Sequence, residues 1–466
     1  MTPGQPAPAP VPDVGSGRGH GHHRATPWPE ARARAARAGA EARAATDRPP
    51  VRVPLGQALG RTLAEPLRAL TDLPSFDSSA MDGWAVAGPG PWTVREEAVL
   101  AGHAGAAALA NGEAVRIATG ARVPAGATAV IRTEHSRTEP SGTAPTPSTG
   151  EALAGTVLLH PLREVVPGQD IRPRGQECRT GDELLPAGSF VSPAVLGLAA
   201  AAGYDEPAVL PRPRVEVLVL GDELLTAGLP REGLIRDALG PMLGPWLAAL
   251  GAEVLAIRRI GDDAEALYDA VTTSAAELVV TTGGTAAGPV DHVHRVLDKA
   301  GATLLVDGVK VRPGHPMLLA RLDAGRHLVG LPGNPLAAVS GLLTLAAPLL
   351  AALSTEATTP ATEATEATEA TEAPLRDGVQ GHPHDTRLVP VVHRDGLVVP
   401  LHYNGPAMLR GIAAADGMAV VPPGGAEPGR RLELLALPWP TQAQPTQARP
   451  TTPVSPSASA QGACFT

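Results

Sequence analysis

The segment VEVLVLG at residues 215–221 is a continuous apolar run rich in β-branched side chains. Such a run is typical of a strand that is buried on both faces of a parallel sheet. PMLGPWLAALGAEVLAI at 241–257 then predicts a helix, a stop at Gly251 and a second strand. DDAEALYDAVTTSA at 262–275 has helical spacing behind an acidic first turn. This alternation predicts a doubly wound α/β layer over residues 213–353, which binds ligands beyond the carboxyl ends of its strands.

The second half of this layer continues the alternation of strand and helix. Three further strands are predicted at ELVVTTGG (277–284), TLLVDGVKV (303–311) and RHLVGLPGNP (326–335). PLAAVSGLLTLAAPLLAAL at 335–353 predicts a helix with Pro335 in its first turn and Asn334 as its N-cap. Its apolar run at 341–353 is too short to span a bilayer, so we expect no membrane segment.

The composition excludes several classes of partner. Of the 466 residues, 43% are hydrophobic, but only 2% are aromatic, which argues against a stacking surface for nucleic-acid bases. The net charge of −9 also argues against nucleic acid as a partner. An anionic ligand must therefore be held locally, by backbone amides, a few cations or a metal. The two cysteines, Cys178 and Cys464, cannot form a disulfide framework and indicate a reducing, cytoplasmic compartment.

Composition also marks the segments outside the folded domains. Residues 1–26 and 441–466 lack apolar periodicity and are predicted to be disordered tails. Residues 354–374 repeat Ala-Thr-Glu, which is typical of a flexible acidic linker. Residues 51–212 lack the alternation of strand and helix and favour mixed α/β and β modules, whereas 386–440 favour a small β domain.

Two segments before the α/β layer present polar side chains in turns. LPSFDSSAMDGWAVAG at 73–88 contains two aspartates, of which Asp82 opens an Asp-Gly turn. The pattern alone is also explained by a polar turn between strands. VRIATGARVPAGATAVIRTE at 115–134 contains Thr119 before a glycine. Such a turn exposes a hydroxyl and backbone amides that can bind a phosphate or oxyanion, and a plain hairpin turn is the alternative.

Carboxylates follow the predicted strands of the α/β layer. Asp222 and Glu223 come directly after VLVLG. A helix cap explains one of them, but two in succession after a glycine favour a ligand site. Asp262 and Asp291 belong to the same layer, and oxygen-only ligands of this kind suit Mg²⁺.

Glycine turns end two of the same strands. Gly283 and Gly284 follow LVVTT, and Gly333 and Asn334 follow a second strand. Paired glycines let the backbone approach a phosphate closely, and a following helix directs its N-terminus at that charge. With the carboxylates, these turns predict a phosphate-and-metal pocket. The Walker A, nucleophile-elbow, paired CxxC and HExxH patterns do not occur in the sequence.

Seven motifs occur in an order that resembles a known family. They are FDSSAMDGWAV, IATGARVPAGATAV, IRPRGQE, LGDELL, TTGGTAAGPVDH, VRPGHP and LPGNP. The set is similar to the molybdopterin molybdenumtransferases, the MoeA and gephyrin E-domain family, over about residues 27–440. The resemblance implies an elongated homodimer with four domains per subunit. The implied active site lies in a cleft between the α/β domain of one subunit and the second domain of the other.

The resemblance also implies the domain division. The fold class is then an α/β multidomain protein, in which a doubly wound α/β molybdopterin-binding domain is joined by helical or mixed, small mixed-β and C-terminal β domains. The second domain carries the FDSSAMDG and TGA motifs. The implied boundaries are a discontinuous linker and dimerisation domain at 27–72 and 171–212, the second domain at 73–170, the α/β domain at 213–353 and the C-terminal β domain at 375–440.

The resemblance implies an enzyme that takes adenylylated molybdopterin, inserts molybdate and releases AMP and molybdenum cofactor. It further implies Mg²⁺ as cofactor, a homodimer with an active site shared between subunits, and contacts with other proteins of cofactor synthesis. The implied metal ligands and catalytic carboxylates are Asp82, Glu223, Asp262 and Asp291, with Thr119 as a further catalytic residue. The implied cofactor-binding residues are Arg172, Gly283, Gly284, Lys310, Arg312, Pro332, Gly333 and Asn334.

Several positions depart from the family pattern. Arg312 and His315 stand where the family has lysines, and Thr128, Leu239 and Ala286 replace an Asp, an Asn and a Ser. These changes keep a second hypothesis open, a catalytically impaired paralogue that binds the pterin or acts as a scaffold. A third hypothesis is an adenylyltransferase that acts one step earlier on the same α/β fold, but it leaves the other three domains without a purpose.

Overall fold

The computed structural model describes residues 25–103, 107–141, 156–285, 292–354 and 371–439. The predicted tails at 1–26 and 441–466 lie almost entirely outside these residues. The chain divides into two compact units: the larger unit is Met1–Asp47 with Arg212–Thr466, and the smaller unit is Arg48–Pro211. Their sheets and helices confirm the predicted multidomain α/β class.

The larger unit begins with strand β1 (Thr26–Pro27) and helix α1 (Trp28–Ala45). Helix α1 buries a face of small residues and lies close against a helix at Pro335–Ser354. A side chain on Gly39 would clash with the backbone of Leu349. The family resemblance places residues 27–46 in the same domain as the residues up to 72. In the structure, the small-residue face of α1 packs this helix within the larger unit.

The smaller unit is built from short strands. They are β2 (Val51–Arg52), β3 (Leu67–Arg68), β4 (Ser78–Ser79), β5 (Gly83–Val86), β6 (Trp92–Val99), β7 (Glu113–Ile117), β8 (Ala129–Arg132), β9 (Ser136–Ser141), β10 (Thr156–Pro161), β11 (Ile171–Arg172), β12 (Glu183–Leu185) and β13 (Ala208–Val209). Six of them form one sheet in the order β8-β5-β7-β6-β10-β9, and the others pair as β2–β13, β3–β12 and β4–β11. Helix α2 (Pro193–Ala201) and 3₁₀ turns at Leu55–Gln57 and Thr133–His135 also belong to this unit.

The larger unit contains the α/β layer that the sequence predicts. Its strands are β14 (Arg214–Leu220), β15 (Leu224–Leu225), β16 (Ile235–Arg236), β17 (Glu253–Ile260), β18 (Leu278–Thr282), β19 (Thr303–Asp307), β20 (Val309–Arg312), β21 (Leu318–Arg321) and β22 (His327–Leu331). The main sheet has the order β17-β14-β18-β22-β21-β19. Its first four strands are parallel, and β21 pairs antiparallel with both β22 and β19, while β15 pairs with β16.

Helices cover both faces of the main sheet. They are α3 (Leu239–Ala249), α4 (Ala264–Thr273), α5 (Val293–Lys299), α6 (Pro335–Gly341) and α7 (Ala347–Ser354). Helices α3, α6 and α7 share a core with Val217 and Val219 of β14, whereas α4 and α5 share a second core with Leu218. Alternate side chains of β14 therefore enter opposite helical layers, as the pleat of a strand requires. The predicted doubly wound arrangement is confirmed.

One helix in the described part of the chain, Pro335–Ser354, is long and apolar enough to cross a membrane by length and composition. It consists of α6, a π-helical turn at Leu342–Ala346 and α7. The helix has 20 residues and is longer than the apolar run at 341–353. The expectation that this run is too short to span a bilayer therefore does not hold for the whole helix. Its mean hydropathy is 2.1, and 78% of its apolar window is buried inside the structure, where it packs against the main sheet and α1.

Two features of the larger unit differ from the prediction. TLLVDGVKV, predicted as one strand, divides at Gly308, where φ is +74°. Its first half is β19 of the main sheet, and its second half is β20, which pairs with β1 in another sheet. Strand β21 is absent from the prediction, because PMLLAR is a short apolar run without β-branched residues.

The C-terminal strands form a second sheet of the larger unit and one separate pair. These are β23 (Thr371–Pro374), β24 (Val379–Gln380), β25 (Thr386–Arg394), β26 (Leu397–Pro400), β27 (Gly417–Val421), β28 (Gly425–Ala426) and β29 (Arg431–Ala436), with helix α8 at Arg410–Ala413. The sheet has the order β1-β20-β25-β27-β29-β23, with β26 on β25, and β24 pairs separately with β28. Of the predicted linker at 354–374, the last four residues form β23, and 355–370 lie outside the described residues.

Candidate active site

The four parallel strands of the main sheet end side by side. Leu220 of β14 is in register with Ile260 of β17, and Thr282 of β18 is in register with Leu331 of β22. Because β18 also pairs with β14, the residues that follow all four strands share one edge of the sheet. This strand-end edge consists of Gly221 to Glu223, Gly261 and Asp262, Gly283 and Gly284, and Pro332 to Asn334.

Two carboxylates lie against glycines of the strand-end edge. Gly221 has a φ of +123°, and a side chain on it would clash with the carboxylate of Glu223. A Cβ on Gly261 would lie 2.6 Å from Oδ1 of Asp222, which belongs to the neighbouring turn. Any residue other than glycine at these two positions would displace a carboxylate.

The adjacent aspartates after β17 have different roles. Asp263 caps helix α4, because its carboxylate accepts hydrogen bonds from the amides of Glu265 at 2.8 Å and Ala266 at 3.2 Å. Asp262 is exposed and makes no hydrogen bond or ion pair with another described residue. Of the two, Asp262 is the carboxylate that stays available to a ligand.

The two predicted glycine turns touch each other. The Gly283 amide donates to the carbonyl oxygen of Leu331 at 2.8 Å. Gly283 and Gly284 have φ values of +81° and +65°, which favour glycine. A Cβ on Gly333 would lie 3.7 Å from Cα of Gly283. The two backbones therefore form one surface without side chains, which a phosphate group can approach closely.

The N-terminus of helix α6 is occupied by the protein itself. Asn334 stands at the predicted N-cap position, but its side chain makes no capping hydrogen bond. The carbonyl oxygen of Pro406 accepts instead from the amides of Leu336 at 2.9 Å and Ala337 at 3.2 Å. An anion at this turn therefore meets Gly333 and Asn334 rather than free helix amides, which differs from the role that the sequence suggested for the helix.

Two of the three predicted cationic residues, Lys310 and Arg312, lie on strand β20, outside the main sheet. Nε of Arg312 donates to Oδ2 of the buried Asp385 at 2.9 Å, so this ion pair neutralises the Arg312 charge locally. Lys310 is half-buried and has no hydrogen-bond or ion-pair partner within the described ranges. Of the two, Lys310 therefore keeps its charge available to an anion.

In the smaller unit, the structure brings Asp82 and Thr119 together. Strand β5 pairs with β7, and the Thr119 amide donates to Oδ1 of Asp82 at 2.7 Å. A side chain on Gly83 would clash with the backbone of Ile131, so packing requires the glycine of the Asp-Gly pair. Hydrogen bonds from the amide and hydroxyl of Thr119, with a smaller effect of the Arg116 charge, lower the pKa of the Asp82 carboxyl.

The IRPRGQE segment joins this region through strand β11. Because β11 pairs with β4, Arg172 lies opposite Ser78, and it is exposed. Nε of the nearby Arg174 donates to Oδ2 of Asp72 at 2.5 Å. Hydrogen bonds from Thr180 and Arg174 lower the pKa of Asp72 to about 2. The IRPRGQE motif contains Arg174 but gave it no role, and Asp72 lies outside the motifs, since nothing local shows that the two residues pair across the fold.

The predicted metal ligands divide between the two units. Glu223 and Asp262 lie at the strand-end edge of the larger unit, Asp82 lies in the smaller unit, and Asp291 lies outside the described residues. Among the residues that the structure describes, no group of three or more His, Cys, Asp or Glu side chains is placed to hold a metal ion. The donors at the edge are carboxylate oxygens, which suit Mg²⁺. The site of four carboxylates stays a prediction.

Family models match the chain over three successive stretches. They are the MoeA N-terminal region (domain I and II) at residues 27–203, the probable molybdopterin binding domain at 216–352 and the MoeA C-terminal region (domain IV) at 372–437. The chain is 38% identical over 310 residues to molybdopterin molybdenumtransferase 2 of Mycobacterium tuberculosis (strain ATCC 25618 / H37Rv), which covers 62% of this chain and 72% of that protein. The chain belongs to the molybdopterin molybdenumtransferase family.

Further comparisons agree with this membership. The chain is 32% identical over 305 residues to molybdopterin molybdenumtransferase of Staphylococcus aureus (strain COL), which covers 63% of this chain and 69% of that protein. Two solved structures of a molybdopterin biosynthesis MoeA protein from Pyrococcus horikoshii have TM-scores of 0.65 and 0.63 at 24% and 22% identity. They cover 89% and 88% of this chain and 99% of their own, which shows the fold. The predicted family resemblance is confirmed.

Departures from the molybdenumtransferase family pattern have structural partners in this member. Leu239 is the first residue of helix α3 and is buried in the core that this helix shares with the main sheet. The hydroxyl of Thr128 donates to the backbone of β5 at 3.2 Å, and Nδ1 of His315 lies 2.8 Å from a carbonyl oxygen of β20. Ala286 lies outside the described residues.

Removal of the Thr119 hydroxyl is expected to raise the pKa of Asp82. In Thr119→Ala the amide still donates, so the pKa should return only part of the way to the ordinary value of 3.8. Carboxyl-carbon NMR during a pH titration measures this shift. Thr133→Ala is the matched control, because the Thr133 hydroxyl contacts the backbone carbonyl of Asp82 and not its carboxylate. An identical Asp82 pKa in wild type and Thr119→Ala would contradict the assignment.

The lowered pKa of Asp82 also sets the sign of its pH dependence. A carboxyl whose pKa is lower in the folded chain stabilises the fold at a pH above its unfolded value. That contribution is lost as the pH falls through the folded-state pKa, which lies below 3.8 for Asp82. Thr119→Ala should therefore lose less stability on acidification than the wild-type protein.

Proposed function

We propose that this chain is a molybdopterin molybdenumtransferase, which inserts molybdate into adenylylated molybdopterin and releases AMP and molybdenum cofactor. The observation that carries the proposal is the contact between the Gly283 and Gly333 turns at the edge that also holds Glu223 and Asp262. In a member of this family, such an edge offers a phosphate surface beside carboxylates. We place the enzyme in the cytoplasm, because Cys178 is a free buried thiol.

The reaction brings two anions together in a protein whose net charge is −9. Carboxylates alone would repel both the phosphoanhydride and molybdate. We therefore propose that Glu223, Asp262 and Asp291, with Asp82 of the partner subunit, hold Mg²⁺. When bound, Mg²⁺ supplies positive charge that neutralises the negative charge developing on the phosphate oxygens.

The two touching turns bind the phosphate part of the substrate in this proposal. Gly283, Gly284 and Gly333 present backbone without side chains, so the anion can lie against the amides of Gly284 and Gly333, while the Gly283 amide joins the two turns. Asn334 adds a side-chain amide that is not used for capping. Pro332 precedes this turn and is buried, which holds the turn against the end of β22.

Positive charge and a fixed carboxylate complete the proposed site. Lys310 offers an uncompensated ammonium to the pterin phosphate, whereas Arg312 offers less because Asp385 already pairs with it. Arg172 is exposed, and in the shared site the partner subunit's Arg172 would offer a second charge. The Thr119 amide keeps Asp82 ionised and oriented.

We propose that the enzyme is a homodimer. Helix α2, with the sequence PAVLGLAAA, is apolar throughout, yet Ala199 is its only buried residue. Phe190, three residues before the helix, is 64% exposed, and Leu70 is exposed next to Gly203 just beyond its end. Exposed apolar side chains near both ends of one apolar helix suit an association site. A second copy of this chain is the partner that the family resemblance implies.

A catalytically impaired paralogue is the second candidate function. Two observations favour it: Asp385 neutralises Arg312, and the carbonyl of Pro406 occupies the first amides of helix α6. Both reduce the attraction of this region for an anion. Such a protein would bind the pterin and release no AMP.

The purified protein is expected to release AMP from adenylylated molybdopterin in the presence of molybdate and Mg²⁺. Glu223→Gln and Asp262→Asn should each lower kcat/KM by about 100-fold, because each removes charge from the proposed cation site. Chromatographic quantification of AMP measures the rate. Asp298→Asn is the matched control, since it removes a carboxylate from the exposed side of α5 and should leave the rate unchanged.

Metal removal separates the two candidate functions. EDTA should abolish AMP release, and added Mg²⁺ should restore it. A dimeric sample that binds the pterin but releases no AMP with Mg²⁺ present would contradict the transferase and support the impaired paralogue.

Mixing two inactive variants tests the shared active site. Asp82→Ala and Asp291→Ala should each be inactive, because each removes one proposed metal ligand. After subunit exchange, a mixed dimer regains one intact site, so about a quarter of the wild-type AMP release should return at equal mixing. No recovery despite exchange shown by native mass spectrometry would mean that each site is built from one subunit.

A further inference from the structure

His327, the first residue of β22, is a buried histidine without hydrogen-bond partners. Only 1% of it is exposed, and neither Nδ1 nor Nε2 has a donor or acceptor in the part of the chain that the structure describes. Buried polar groups in folded proteins are almost always bonded to protein, water or a ligand. The imidazole therefore needs a partner that enters from outside the chain.

His327 lines a cavity of about 440 Å³ in the larger unit. Glu41 and Ala45 of helix α1, and residues 321–324 from the end of β21, form much of the remaining wall. Because β22 runs from His327 to Leu331, the cavity lies at the opposite end of this strand from the strand-end edge. It is a second site, separate from the candidate active site.

The charged side chains of this cavity differ in how many hydrogen bonds they already make. The Asp323 carboxylate already accepts three hydrogen bonds. Its Oδ1 accepts from the amides of Gly325 and Arg326, and its Oδ2 accepts from Nε of Arg326 at 2.6 Å. Arg321 forms an ion pair with the exposed Glu41 at 3.7 Å, a separation that is too long for a hydrogen bond. No residue of the described ranges accepts a hydrogen bond from the Arg321 guanidinium. The N–H groups of this guanidinium can therefore donate hydrogen bonds to a ligand.

His327 adds a second donor beside Arg321. Burial and the charge of Arg321 lower the pKa of the His327 imidazole to about 4, so the ring is neutral at pH 7 and carries one N–H. Arg321 lies directly opposite His327 in the antiparallel pairing of β21 with β22, so the two side chains are cross-strand neighbours on one face of the sheet. A guanidinium and an N–H that converge suit a carboxylate, and Ala45, Leu322 and Ala324 add an apolar surface to the wall.

We propose that this cavity binds a small organic carboxylate with an apolar body. Arg321 donates to the carboxylate, and the N–H of His327 donates to it from the buried side. Ala45 and Leu322 contact the apolar part of the ligand. Glu41 is largely exposed and turns to solvent when the anion enters. This site does not depend on the reaction proposed above, because it lies at the other end of β22.

Calorimetric titration of the full-length protein with benzoate tests the site. Benzoate is expected to bind, whereas benzamide, which has the same shape and no charge, should bind at least about tenfold more weakly. Arg321→Gln and His327→Leu should each weaken benzoate binding by a similar factor. Arg295→Gln is the matched control, because it removes an arginine charge from the exposed side of α5 and should leave binding unchanged.

Several outcomes would overturn this proposal. Absence of benzoate binding at millimolar concentration would leave water as the partner of His327. Equal benzoate binding by Arg321→Gln, or equal binding of benzoate and benzamide, would place the interaction elsewhere. Binding of inorganic phosphate in place of benzoate would indicate a different anion site. Arg321 is half-exposed, so its variant keeps the test decisive if His327→Leu does not fold.

Discussion

Hydrogen bonding between parallel strands decides where the chain turns in the larger unit. Strands β17, β14, β18 and β22 are paired in register, so their last residues form one row across the sheet. Every residue that leaves this row enters the same solvent-facing edge. Glu223, Asp262, Gly283 and Gly333 come from four distant parts of the sequence, and this pairing is what brings them to one edge. The helices on both faces of the sheet hold the row in place by burying alternate side chains of each strand.

The same constraint explains the electrostatics of the candidate active site. A strand end supplies short turns, and the glycines in them leave space that neighbouring carboxylates enter, as at Gly221 and Gly261. Carboxylates beside a phosphate surface repel an anionic substrate unless a cation lies between them. Of the two cationic residues on β20, Arg312 is already paired with Asp385, so Lys310 is the one whose charge is not compensated. We therefore propose that binding of an anion by this acidic protein depends on backbone geometry and on a metal.

Much of this arrangement is predictable from sequence because it depends on local patterns. The β-branched run before Gly221 and the acidic start of α4 identify their elements from neighbouring residues alone. The division of TLLVDGVKV at Gly308 is not predictable, since its second half forms a strand only by pairing with β1 and β25. Likewise, Pro406 caps α6 from a distant loop, and the cap therefore leaves no mark near Asn334. Contacts between remote segments are the part that sequence patterns do not contain.

Paramagnetic broadening by Mn²⁺, used in place of Mg²⁺, tests directly whether a divalent cation binds at the strand-end edge. Amide NMR signals near a bound Mn²⁺ ion disappear first as the ion is titrated into the protein. We predict early loss of the amide signals of Gly221, Asp262 and Gly283. The signals of Arg214 and His327, at the opposite ends of β14 and β22, should stay sharp. Broadening that spares the strand-end edge, or that begins at the opposite ends of these strands, would contradict a cation site at the edge.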